Sequence, residues 1–146
     1  LPSDIETIIV TSKKLQVDKK NVKVLSEWLP NDEIRDLYQN ARLTIIPSVA
    51  TKLEFSGLST SLQSLAAGTP VIVASQAALV DLFSGNQIPT YYEPGNPQDL
   101  EDAILTLWQQ SGKRRELGPQ GQKVVKQNFD SKVIAKRIEK ILKYPR

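Results

Sequence analysis

Apolar positions in this chain fall into short β-branched runs, separated by stretches in which they recur every three or four residues. Glu6-Thr-Ile-Ile-Val-Thr11, Val22-Lys-Val-Leu25, Leu43–Ile46, Pro70–Ala74 and Thr90-Tyr-Tyr92 have the length and composition of strands. Between them the period lengthens. Asn31 reads as an N-cap with acids in the turn after it, and Ile34, Leu37 and Tyr38 share one helical face. Leu58–Ala67 reads as a helix ended by Gly68, and Ala77–Phe83 as a short one. Asn96 and Pro97 are the cap and first residue of a helix that runs to about Gln110, with Leu100, Ile104 and Leu107 inward. Lys113–Asn128 is helical, with a break expected at Gly118-Pro119. Asp130 caps a last helix bearing Ile134, Ile138, Ile141 and Leu142. The polar Ser12–Lys20 stretch reads as loop.

Strands that alternate with helices predict an α/β fold, a doubly wound parallel sheet. Such folds bind ligands at the carboxyl ends of their strands. One rim is therefore expected to carry Thr11–Lys14, Ser26–Leu29, Pro47–Leu58 and Ser75–Ala78.

Composition narrows the chemistry. The 146 residues fit one domain spanning 1–146. No apolar stretch is long enough to span a bilayer, and there is no signal-peptide pattern; the expected location is cytoplasmic. Cys and His are both absent, which removes thiol nucleophiles, imidazole metal ligands and the Ser-His-Asp triad. Catalysis would rest on carboxylates, amides, hydroxyls, cations and backbone dipoles. The net charge of +3 is uneven: residues 111–146 hold eleven Lys/Arg against three Asp/Glu, and residues 1–110 hold eight against thirteen. No aromatics are interleaved with the basic residues, so the tail reads as a solvated helix face rather than a nucleic-acid surface. A peripheral contact with an anionic membrane surface is its alternative use. The Lys113-Arg114-Arg115 run reads likewise as solvated. No Gly-x-Gly-x-x-Gly follows the first strand, which argues against a dehydrogenase.

The segment from Glu54 to Ser75 concentrates the candidate chemistry. It reads as a loop, a helix start, and a Gly68-Thr69-Pro70 turn into a buried strand. The first amides of a helix lack intrahelical partners and sit at the positive end of its dipole, so they suit an anion. Gly57 lets backbone approach a ligand closely.

Several stretches, in order, resemble one family: Asn21-Val-Lys-Val-Leu-Ser26, Leu37-Tyr-Gln-Asn-Ala41, Ile46-Pro-Ser48, Glu54 with Gly57-Leu58, Gln63-Ser-Leu-Ala-Ala-Gly-Thr-Pro-Val71, and Glu93-Pro-Gly-Asn-Pro-Gln-Asp-Leu100. Together they resemble the C-terminal, donor-binding domain of retaining glycosyltransferases of group 1 with the GT-B fold, over nearly the whole chain. The resemblance implies a Rossmann-like half that holds a nucleotide-sugar of UDP or GDP type as substrate, with no cofactor and no metal. It implies that Glu54 faces the donor sugar as the catalytic position. Gly57 and Leu58 supply backbone donors to the diphosphate, with Ser59 beside them as a cap or phosphate ligand. Gln63 meets the ribose hydroxyls, and Ser26 and Leu29 flank the base. It implies as partner an N-terminal acceptor-binding domain absent from this sequence, without which the fragment is inactive.

The chain departs from the family pattern in three places. Gln63 stands where a Glu is expected, which loses a charge-assisted bond. The interval from Glu54 to Gln63 is one residue longer. The family's first strand–helix unit, with its Gly-Arg…Lys segment, would lie before Leu1. An exposed sheet edge would follow, and with it self-association. Two other classes stay open: a GT-B-like binding or assembly module without catalysis, and an α/β interaction domain that docks through its basic C-terminal helix.

Overall fold

The computed structural model describes residues 5–48, 55–86 and 88–143. They resolve into two compact units, Leu1–Ile34 and Arg35–Arg146.

In the first unit the β-branched run forms β1, Thr7–Val10, and the Val-Lys-Val-Leu run forms β2, Val22–Leu25. They pair in parallel, Thr7 opposite Val22 through Val10 opposite Leu25. The pair is closed at both ends. Thr7 N–H donates to Asn21 O at 2.8 Å and Asn21 Nδ2 to Ile5 O at 2.8 Å; Thr11 N–H donates to Leu25 O at 3.0 Å. Strand alternation leaves Ile8 and Val10 exposed. Among the described residues of this unit only Ile5 is buried.

α1, Asn31–Asn40, has its first turn in the first unit and the remainder in the second. The expected cap shifts by one place. Ile34 N–H donates to Pro30 O at 3.0 Å, so the helix is already under way at Asn31.

The second unit is built on a three-stranded parallel sheet in the order β3 (Thr44–Ile46), β4 (Val71–Ala74), β5 (Thr90–Tyr92). β4 is central, and Val71, Ile72, Val73 and Ala74 are all buried, as a parallel strand covered on both faces must be. α2, Leu58–Ala67, crosses from β3 to β4, and α3, Ala77–Leu82, from β4 to β5. After β5 come α4, Pro97–Gln109, α5, Ser111–Asn128, and α6, Ser131–Lys143. Asn96 Oδ1 caps α4 through the amides of Gln98 and Asp99, both at 3.1 Å. Asp130 Oδ1 accepts from Lys132 N–H at 2.8 Å and caps α6. The core gathers Leu65 of α2, Leu79 and Phe83, Ile104 and Leu107 of α4, and Leu117 and Val124 of α5 around the sheet.

Two further sequence expectations change. α5 runs unbroken through Pro119. Leu117, Gly118, Gly121 and Val124, on both sides of the proline, are buried, and that packing outweighs one missing N–H. Arg114 is no solvated residue. Its Nη1 donates to the carbonyls of Leu107 and Trp108 at the end of α4, and its guanidinium lies 5.8 Å from the Trp108 ring, opposite use to that of a free cation. α6 carries no buried residue, and Ile138 and Leu142 are 52% and 74% exposed. Among the described residues no helix is long and apolar enough to cross a membrane.

Candidate functional site at the start of helix α2

Parallel strands put their carboxyl ends on one side, and in the second unit three segments meet there. Ser48 follows β3, Ser75 and Gln76 follow β4, and Tyr92 ends β5. Ser75 N–H donates to Tyr92 O at 2.8 Å. The buried Tyr92 hydroxyl accepts from Ser48 N–H at 2.8 Å and donates to Ser48 O at 3.2 Å. Gln76 Nε2 donates to Ser48 Oγ at 3.3 Å and to Ser56 O at 3.4 Å.

α2 begins beside this cluster. Gly57, at its N-cap, has φ +86° and ψ 0°. A Cβ there would lie 2.7 Å from Ile46 Cγ2, so glycine is required both by the dihedral and by the approach to β3. Gly57 brings no capping side chain. Leu58 N–H donates to Phe55 O at 3.1 Å and Ser61 N–H to Gly57 O at 2.8 Å. The amides of Gly57, Ser59 and Thr60 have no hydrogen-bond partner among the described residues. No acidic residue stands in the first turn to neutralise the dipole. The arrangement is a helix start of open donors that suits an anion.

The sequence-derived candidates separate accordingly. Gly57 and Ser59 stand at this helix start with open amides. Leu58 stands there too, but its amide is already bonded to Phe55 O, so the open donors are its neighbours and Thr60. Gln63 is exposed, one turn on. Its Oε1 accepts from Tyr38 OH at 3.5 Å, a contact at the limit of a hydrogen bond. Ser26, exposed, and Leu29, half-buried, follow β2 in the first unit. Glu54 lies outside the described residues.

Sequence reasoning missed Tyr38 and Tyr92, and reached Gln76 only as a member of the expected Ser75–Ala78 rim. Tyr38 had the spacing of an apolar helical position, yet its phenol lies at the first turns of α2. Burial raises the Tyr38 pKa, and a hydrogen bond with the Thr60 side chain opposes that rise. Gln76 and Tyr92 left one usable signal, their places just beyond or at the carboxyl ends of β4 and β5. Among the described residues no group of three or more carboxylates could hold a metal ion.

The family model for glycosyl transferases group 1 matches residues 10–124. The chain belongs to that family. Its fold is that of a GT-B, Rossmann-like domain. An uncharacterized glycosyltransferase of Methanocaldococcus jannaschii is 29% identical over 96 residues, which are 64% of this chain and 24% of that protein. Sucrose-phosphate synthase from Thermosynechococcus elongatus superposes with a TM-score of 0.74 at 16% identity, over 98% of this chain and 46% of that one. That likeness speaks to fold alone. The chain thus spans less than half the length of each of these two proteins.

Proposed function

We propose that this group 1 glycosyltransferase domain is the donor-binding half of its enzyme, and that α2 receives the diphosphate of a nucleotide-sugar. The observation that carries the reading is the set of amides of Gly57, Ser59 and Thr60, without a partner among the described residues, at the start of a ten-residue helix at the carboxyl end of the sheet. As the glycosidic bond breaks, the leaving nucleoside diphosphate gains negative charge. Donors already held by the fold stabilise that charge without reorganising, and a single such donor is worth about 10²–10³ in rate. Gln63, exposed and only loosely held by Tyr38, is free to turn its amide to a vicinal diol of the ribose. Its bonds would be neutral and weaker than those of a carboxylate. Glu54 is assigned to the sugar by family resemblance.

A calorimetric titration of the chain with UDP, GDP and ADP tests the reading. One nucleotide should bind, and Gln63→Ala and Glu54→Ala should each weaken it, with Gln63→Glu strengthening it. Absence of binding by all three at millimolar concentration would reject the assignment. The neutral Gln63 favours a second reading, a GT-B-like module kept for assembly rather than transfer. Gain of affinity in Gln63→Glu from an already measurable baseline argues against it.

A further inference from the structure

We infer that Gln76 and Tyr92 form a bracket that sets the start of α2, and are positioning residues for the anion site there. The inference rests on the donor reading for its consequence, but its geometry stands alone. Ser48 leaves β3 and Ser56 enters the turn before α2; seven residues separate them in sequence. Gln76 reaches both with one amide group, donating from Nε2 to Ser48 Oγ and Ser56 O. Tyr92, 4% exposed, holds Ser48 by its backbone N–H and C=O together. One side chain stands just beyond the end of the central strand β4 and the other ends its neighbour β5, so the place where α2 begins is referred to the sheet. Neither side chain reacts with anything. Each acts through Ser48 or Ser56 on the turn that presents the Gly57, Ser59 and Thr60 amides.

The cost of the bracket shows on Gln76 itself. Its Oε1 is buried and has no hydrogen-bond partner among the described residues. A buried acceptor left unpaired opposes folding. The side chain therefore contributes to placement more than to stability, which separates this role from a merely structural one. Gln76→Leu should leave the melting temperature unchanged or raised, while Tyr92→Phe keeps the buried ring and removes only the hydroxyl.

The test measures two quantities on the wild type and both variants: amide hydrogen exchange at Leu58 and Ser61, and the Kd for UDP, GDP and ADP. Exchange at those amides should quicken about tenfold in each variant, because their bonds to Phe55 O and Gly57 O close the first turn. The Kd of the nucleotide that binds should rise about three- to tenfold, for loss of preorganisation. Unchanged exchange and affinity overturn the bracket and leave the donor reading intact. Faster exchange with unchanged affinity overturns it too, since the turn would then not position the site. If the wild type binds none of the three nucleotides, the donor reading falls and exchange alone decides: faster upholds the bracket, unchanged overturns it.

Discussion

Gly57 combines a left-handed φ with Ile46 Cγ2 at 2.7 Å from where a Cβ would stand. Gly57→Ala should therefore lower stability by about 2–4 kcal/mol, the sum of backbone strain and overpacking, as read from the urea midpoint. Tyr91 sets an alkaline limit. Burial pushes its phenol from 10.0 up to about 12. A raised pKa means that the fold favours the neutral phenol. The contribution is complete below pH 10 and is lost as pH rises through about 12. Unfolding midpoints taken below pH 10 and near pH 12 should differ less in Tyr91→Phe than in the wild type. The dependence that persists is Tyr38's, raised by burial in the same direction. Gly57 was legible in the sequence because a glycine before a helical period has a local meaning. The hydroxyl of Tyr92 was not, because its partner Ser48 is 44 residues away and the ring alone reads as a strand residue. Nor could the sequence tell which amides at the start of α2 are open, since that depends on Phe55 O turning back to Leu58 N–H.

α2 and α5 pack at a distance that only glycine permits. A Cβ on Gly118 would lie 2.4 Å from Gly68 O, and one on Gly121 would lie 2.7 Å from Leu65 Cδ2. A backbone oxygen cannot step aside, so Gly118→Ala should force the helices apart and cost about 1–3 kcal/mol in chemical denaturation. Leu65→Ala, which empties the same contact from the other side, should cost about 2–5 kcal/mol. Strands and helices were largely legible, because β-branched runs and helical periods are local signals; β2, α2 and β5 fall on the expected residues. Pro119 was not, because its local rule gives way to burial on either side. The role of Arg114 was hidden for the same kind of reason: a cation inside a Lys-Arg-Arg run looks solvated until the end of α4 is seen beneath it. Strand pairing was also beyond reach. The alternation of elements predicts parallel strands, and every pairing is parallel, but it does not tell that they divide between a two-stranded and a three-stranded sheet.

For the whole molecule, membership of the glycosyl transferases group 1 family was legible from a succession of short stretches, none of which suffices singly. The two units carry very different cores. The second buries Leu65, Ile72, Leu79, Phe83 and Leu107 almost completely, while the first buries Ile5 among its described residues. A segment of that size seldom holds a core unaided; about 40 residues is the usual lower bound. The chain carries two tryptophans, and the fold places one in each unit. Trp28, 85% exposed, lies in the first, and Trp108, with Arg42 at 5.0 Å and Arg114 at 5.8 Å from its ring, lies in the second. Each unit thus has its own fluorophore. With Trp108→Phe the emission reports the first unit, red-shifted and readily quenched by iodide. With Trp28→Phe it reports the second, in which two guanidinium groups flank the indole. The Trp28 signal should change at lower urea than the Trp108 signal, and coincident transitions would mean that the two units melt as one cooperative body.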